Sequence, residues 1–230
     1  MHTLLMRLVG PMQSWGYRSR FDNRDTALEP TRSGVIGLLC AAMGIPRDQD
    51  LSRFDSLRMG VRVDATGLVM VDYHTAMDVI HADGSGPSNV VSHRYYMADA
   101  RFLVGLESAD TGLLREIEAA LRSPRWSLFL GRKSFCPSVP IHLPDSSVQE
   151  GIGLEQALRE FPWYRLRDRE QKSDSFRLVL EARQGDEGMA LHDWPLNFAE
   201  RRFRLRHVVT DSVPADQVPD GGLLPCISPD

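Results

Sequence analysis

The chain has 230 residues, 42% hydrophobic and 25% charged, a balance that suits a packed globular core and argues against disorder. Its longest apolar run, Val35 to Met43, is nine residues, far short of the roughly 20 that a membrane-spanning helix needs. The net charge of −4 speaks against a polyanion partner only as an average. Arg7, Arg18, Arg20 and Arg24 against Asp22 give residues 7–24 a charge of +3, and Arg122, Arg125, Arg132 and Lys133 give 122–133 a charge of +4. Arg201, Arg202, Arg204 and Arg206 against Glu200 add +3 in 199–209. Charge segregated in this way suits a basic face on an acidic body, or arginines that are merely solvated. Cys40, Cys136 and Cys226 are odd in number with no CxxC pair, and the histidines show no HxxxH spacing. Neither a disulfide framework, a metal site nor a cofactor is expected. A strand-like start without a leader-type apolar stretch points to a cytoplasmic protein.

In chain order, Thr3 to Val9 alternates as a strand, with Leu4, Met6 and Leu8 on one face. A polar loop, Gly10 to Pro30, leads to a helix that Thr31 or Ser33 caps and that ends at Gly44. Its span from Gly34 to Met43 is apolar all round, so it is expected to be buried. Met59, Val61 and Val63 alternate as a strand, and Leu68 to Thr75 reads as another. A hairpin excursion turns at Ala82 to Ser88 and returns through Val90 to Tyr96, then Phe102 to Leu106. Leu113, Leu114, Ile117, Ala120 and Leu121 form one apolar face of a second helix, which Ser108 or Asp110 opens and Pro124 stops. Trp126 to Leu130 reads as a closing strand. The order βαββαβ is that of an α+β, ferredoxin-like (RRM-like) fold. After about residue 145 the pattern changes to a helix near Leu154 to Phe161 and strands near Phe176 to Ala182 and Phe203 to Thr210. Residues 146–230 are thus expected to form a small β-rich C-terminal domain, with a loop after Pro214.

Four ordered segments carry a family resemblance: GPMQSWG at Gly10 to Gly16, EPTRSGVIGLLCAAMGI at Glu29 to Ile45, DYHTAMD at Asp72 to Asp78, and SPRWSLFLGRKSFCPSVP at Ser123 to Pro140. Together they resemble the CasD family of type I-E CRISPR Cascade subunits, in the RAMP superfamily. The resemblance implies a ferredoxin-like RAMP domain over residues 1–145 with a protruding thumb hairpin at about 78–94. It implies an RNA-binding, non-catalytic subunit that caps the 5′ handle of the crRNA in antiviral defence. The implied partners are the Cascade backbone subunit, the large PAM-reading subunit and, through the complex, target DNA. The type I-C relative is an endoribonuclease. By that alternative His93, Tyr95, Tyr17 and Lys133 would supply metal-independent cleavage of repeat RNA.

For an RNA partner, Gln13, Ser14 and Trp15 sit in a glycine-bounded loop, where Gln13 suits a base edge and Trp15 either stacks on a base or packs beneath the loop. Thr31, Arg32 and Ser33 lie at a helix start, suited to a phosphate or to plain capping. His74 alternates with Asp72 on a strand and serves either a structural hydrogen bond or the RNA. Arg94 stands at the hairpin's return. Gly131, Arg132, Lys133 and Ser134 make a glycine-basic turn that fits a phosphate clamp.

Overall fold

The computed structural model describes residues 1–16, 22–168, 170–183 and 185–224. The chain begins with β1 (His2–Val9), β2 (Met12–Gln13), β3 (Asn23–Arg24) and α1 (Arg32–Met43). Next come β4 (Arg58–Ala65), β5 (Leu68–Val79), β6 (Ser88–Ala98), β7 (Arg101–Ser108) and α2 (Thr111–Arg122). The last third holds β8 (Val148–Gln149), α3 (Leu154–Glu160), β9 (Trp163–Arg165), β10 (Ser175–Glu181), β11 (Met189–Asn197), β12 (Arg202–Pro214) and β13 (Asp220–Leu223).

Seven strands form one antiparallel sheet in the order β11-β12-β10-β4-β7-β1-β8. Alternation along β1 sends Leu4, Met6 and Leu8 into a core under α1 and α2, shared with Met59, Val61, Phe102 and Val104. Leu5 points the other way, into a second core with Leu103, Leu154, Leu158, Trp163, Phe176 and Leu178 beneath α3. The sheet is therefore covered on both faces, which is why β1 is apolar at successive positions. Gly60 and Gly105 face each other across β4 and β7. A Cβ on Gly105 would stand 2.6 Å from Leu154 Cδ1, and one on Gly60 2.9 Å from Leu158 Cδ1. Their bare backbones are the seat on which α3 rests.

α1 forms as expected: Thr31 Oγ1 accepts from Gly34 N, and Gly44 ends the helix in the left-handed region at φ 72°. Trp126 to Leu130 is not the closing strand. Arg125 N and Trp126 N donate to the carbonyls of Ala42 and Ala41 at 2.8 and 3.1 Å. These are carbonyls of the last turn of α1, which lack partners within the helix. The place beside β1 goes instead to the two-residue β8, where Val148 pairs with Leu4. The segment from residue 146 contributes β10, β11 and β12 to the same sheet, Val179 of β10 pairing with Val61 of β4. Beyond Pro214 the expected loop is a short 3-10 turn, Ala215–Gln217, followed by β13, which pairs in parallel with β9.

β5 and β6 build a hairpin longer than expected, paired from Leu68 with Ala98 to Val79 with Ser88. β2 and β3 also pair with β6, at Met97–Ala98 and at His93–Arg94. Leu68, Tyr73 and Met77 along β5, and Ile80 just beyond it, are exposed.

A buried ionic quartet joins α1 to the far half of the sheet. Arg32 Nη1 lies 2.8 Å from Glu181 Oε1, and Arg206 Nη1 3.3 Å from the same oxygen. Arg206 also grips Asp193 through Nε at 2.6 Å and Nη2 at 2.9 Å. Arg32 Nη1 and Nη2 reach the carbonyls of Leu57 and Phe54, and Met59 N donates to Glu181 Oε2. Substituting Glu181→Ala leaves two buried guanidiniums facing each other, so it is expected to cost about 3–5 kcal/mol in urea denaturation. A smaller ionic site lies at the edge of α3, where Glu155 bonds Arg58 at 2.7 Å and Arg183 at 3.1 Å. The hydrogen bond from Arg58 leads the causes that hold the Glu155 carboxyl at about 2. A depressed carboxylate stabilises the fold above its unfolded value and loses that contribution as pH falls toward 2. Denaturation midpoints between pH 5 and 2, measured for wild type and Glu155→Gln, should therefore fall less steeply in the variant.

Candidate nucleic-acid interface

Three of the segments singled out in the sequence meet in space. Ser14 N donates to Leu130 O at 3.0 Å, and Gly131 presses so closely on the same loop that a Cβ would stand 1.8 Å from Ser14 O. Gly131 also adopts φ 94°, where glycine carries no Cβ penalty. The turn closes through Phe135 N to Arg132 O and Leu130 N to Phe135 O. On the opposite side Gly34 lies under the Trp15 ring, its ideal Cβ 2.8 Å from Cε3. Ser14, Trp15, Thr31, Ser33, Gly34 and Gly131 thus all border one cavity.

Beside that cavity, at the root of the hairpin, arginines from separate segments come together. Arg24 of β3 pairs with Arg94 of β6, and Asp72 of β5 flanks Arg94 from the other side. Arg132 reaches over to donate from Nη2 to Tyr95 O at 2.8 Å. Burial pushes the Arg132 guanidinium below its ordinary value, Arg94 and Arg24 push it further down, and Asp72 opposes them. Arginine stays protonated throughout, so the direction records its partial burial first and, after that, repulsion from Arg94 and Arg24 that a bound anion would relieve. Aromatic groups adjoin the cations: Arg132 lies over Phe135 at 5.3 Å, and the Phe135 ring meets Tyr96 at 5.9 Å, whereas Tyr73 and His93 meet edge to face at 5.3 Å on the opposite face of the hairpin. Arg94 Nε donates to Ser92 Oγ at 3.0 Å. Lys133 and Ser134 are exposed at the turn, while His74 is half-buried on β5, its carbonyl accepting from Ser92 Oγ.

Other expected contacts are committed to the interior. Gln13 is fully buried, its amide donating to Leu8 O and Ala100 O and accepting from Trp15 Nε1, so it has no edge to offer a base. Trp15 is 1% exposed and forms part of the core beneath the loop, the packing alternative rather than the stacking one. Ser14 Oγ donates to Tyr95 O. Thr31 is the cap of α1, with Ser33 Oγ bonded to it. Arg32 is not a phosphate fork: it is 1% exposed within the quartet, and its backbone amide at the helix start already donates to the Asp193 carboxylate at 2.8 Å. Sequence reasoning missed Arg24 as a site residue. Its signal was present in the +3 window, but nothing local connects it to Arg94 across 70 positions. Of the alternative catalytic set, His93 and Tyr95 share one face of β6 and Lys133 is exposed. Tyr17 lies outside the described residues, as do Arg18, Arg20 and Cys226. Among the described residues, no three His, Cys, Asp or Glu side chains are grouped to hold a metal ion. Among those residues too, no helix is long and apolar enough to cross a membrane.

This strand-rich α/β fold has known counterparts. The family described as CRISPR-associated protein (Cas_Cas5) matches residues 3–209. The chain belongs to this family. Over 153 residues it is 38% identical to the CRISPR system Cascade subunit CasD of Escherichia coli strain K12, covering 58% of this chain and 66% of that relative. A solved structure described as the crystal structure of a Cas protein aligns with TM-score 0.77 and 44% identity, over 95% of this chain and 98% of the other. A chain of a CRISPR RNA-guided surveillance complex aligns with TM-score 0.75 and 33% identity, over 95% and 94%.

The close approach at Gly131 makes a direct prediction. Gly131→Ala must push the turn off Ser14, which should cost about 1–3 kcal/mol by thermal or urea denaturation. A Ser14→Ala change, which removes one hydrogen bond and adds no clash, should cost only about 1 kcal/mol in the same assay.

Proposed function

We propose that this chain is the crRNA-binding subunit of a type I-E CRISPR Cascade complex, holding the 5′ handle of the guide. It is a Cascade subunit working in CRISPR defence, a reading supported by its likeness to E. coli CasD and to a chain of an RNA-guided surveillance complex. The observation that carries the RNA role is the gathering of Arg24, Arg94 and Arg132 at the hairpin root, where Arg132 feels two arginines against one aspartate. Mutually repelling guanidiniums beside aromatic rings suit a phosphate backbone with unpaired bases. Lys133 and Ser134 extend that surface along the turn, and His74 extends it along β5.

In this reading, the strand order β4-β7-β1 with α1 and α2 on one face is the ferredoxin-like RAMP core of residues 1–145, and β8 from the following segment adds the fourth strand at its edge. Residues 146–230 are its C-terminal addition. The β5–β6 hairpin is the thumb, whose exposed apolar strand meets a neighbouring protein subunit, backbone or PAM-reading. Target DNA reaches the chain only through the assembled complex, in the cytoplasm. In this reading the role is binding rather than catalysis, as the likeness to a Cascade subunit supports.

The test is binding of fluorescent repeat-derived single-stranded RNA to the full chain across a salt series. Arg94→Ala and Arg132→Ala should each weaken binding by about tenfold and reduce the salt slope by about one charge. Arg115→Ala, at an exposed ion pair with Glu150, should leave both unchanged. Affinity indifferent to salt and to the Arg94/Arg132 double substitution would refute the RNA role.

A further inference from the structure

The cavity that the loop, the start of α1 and the glycine-basic turn share has walls of a particular kind. It encloses about 500 Å³, within the range of small-ligand sites. Trp126, Phe129, Phe198 and Phe203 line it, with Gly37 and Ala41 of α1 opposite. Trp126 is 45% exposed although its backbone is fixed to the end of α1 by the bond from its amide to Ala41 O. Phe198 and Phe203 stand at 67° to each other with centroids 6.5 Å apart, a T-shaped corner. One exposed cation stands at the border of the cavity. Arg47 borders the cavity and is held by its bond to Phe198 O at 3.2 Å, while Arg125 packs over Gly44 at the end of the same helix. Arg47 and Arg125 are exposed, and Gly131, the neighbour of Arg132 in the chain, borders the cavity itself.

We infer that this cavity receives one unstacked nucleobase of the bound RNA. The inference rests on the RNA-binding reading above and adds a subsite to it. A nucleobase has flat apolar faces and a polar edge, joined through its sugar to an anion. The aromatic walls match the faces, and Arg47 at the border matches the anion. Ser33 Oγ, whose hydrogen bond to Thr31 Oγ1 is long at 3.4 Å, is the hydroxyl within the cavity available to the edge. An aliphatic side chain of a protein partner would use the apolar walls but gain nothing from Arg47. Trp15 has no part in stacking here; it forms the base on which α1 holds this wall.

Gly37 provides the test. A Cβ there meets Phe198 Cζ at 3.7 Å, an ordinary contact, so Gly37→Ala is tolerated whereas Gly37→Leu projects into the cavity. Binding of single-stranded RNA carrying one abasic nucleotide at each position in turn is measured on the full chain. One abasic position should weaken wild-type binding by about tenfold, as expected for one lost stack. Gly37→Leu should weaken binding of intact RNA to the same degree, and the abasic penalty should vanish in that variant. Trp126→Ala, at an exposed position, should reproduce both effects if Gly37→Leu melts below Gly37→Ala. The subsite is overturned if Gly37→Leu and Trp126→Ala bind intact RNA like wild type while Arg132→Ala does not, which leaves the RNA reading standing. It is equally overturned if they bind RNA normally but fail to assemble with the other Cascade subunits, since the cavity then takes a protein side chain. If Arg132→Ala also binds like wild type, the RNA reading fails and the subsite with it.

Discussion

The quartet of Arg32, Glu181, Asp193 and Arg206 is the constraint around which the two halves of the molecule are arranged. Desolvating four charges costs several kcal/mol per ion, and well-packed apolar residues often do as well energetically. What the quartet supplies is geometry. Arg32 begins α1, Glu181 ends β10, Asp193 lies in β11 and Arg206 in β12, so the helix start is fixed to three strands of the far half of the sheet. Each carboxylate takes two donors or more, the Asp193 pair with Arg206 being two-pronged. A two-pronged pair resists rotation in a way that an apolar contact does not. Because Gly34, in the first turn of α1, packs under the Trp15 ring, the orientation set by the quartet passes to the loop and to the cavity wall.

The same quartet explains why the start of α1 is not where an anion binds. A helix N-terminus attracts negative charge, and Asp193 already supplies it. Arginines in this chain therefore divide by environment rather than by position in sequence. Arg32, Arg62 and Arg206 are buried and hold carboxylates and carbonyls within the fold. Arg122, at the end of α2, is spent on the carbonyls of Leu143, Pro144 and Asp145. Arg24, Arg94 and Arg132 sit where cations outnumber the neighbouring carboxylate, and there the electrostatic demand points outward. Net charge of −4 and a cationic site coexist because the remaining acids lie elsewhere.

Much of the core was legible from periodicity. Alternation in β1, β4 and β7 and the four-residue spacing in α2 come from facing one apolar layer, and local pattern encodes that directly. The Gly131 turn was legible because a glycine before two cations marks a tight backbone turn wherever it falls. Arg32 was not, since its carboxylate partner is 149 positions away and a capping position looks the same whether the guanidinium turns outward or inward. Trp126 to Leu130 has strand composition, yet its leading amides satisfy helix carbonyls. Short apolar runs do not reveal which backbone groups they will meet. Gln13 was misread, and Trp15 left between two readings, for a related reason: a polar, aromatic loop between glycines resembles a ligand loop until Gln13 is seen spending its amide on Leu8, Ala100 and Trp15 itself.

The hairpin carries the last consequence. β5 is a 12-residue strand paired with β6 along one edge, with Leu68 and Met77 in it and Ile80 just past its end about 70–80% exposed. Long apolar edges of this kind invite pairing with other chains, and proteins usually blunt them with lysine, proline or a cover. Here Asp72 and Asp78 are the only charges along the strand, and a register shift between Ala76 and Val79 bends its outer end. In the proposed assembly a neighbouring subunit supplies the cover, and the arm's apolar outer length and its cationic root then serve different partners. Burying that edge against protein also holds the root in place, so that assembly and RNA binding reinforce each other through a single two-stranded element.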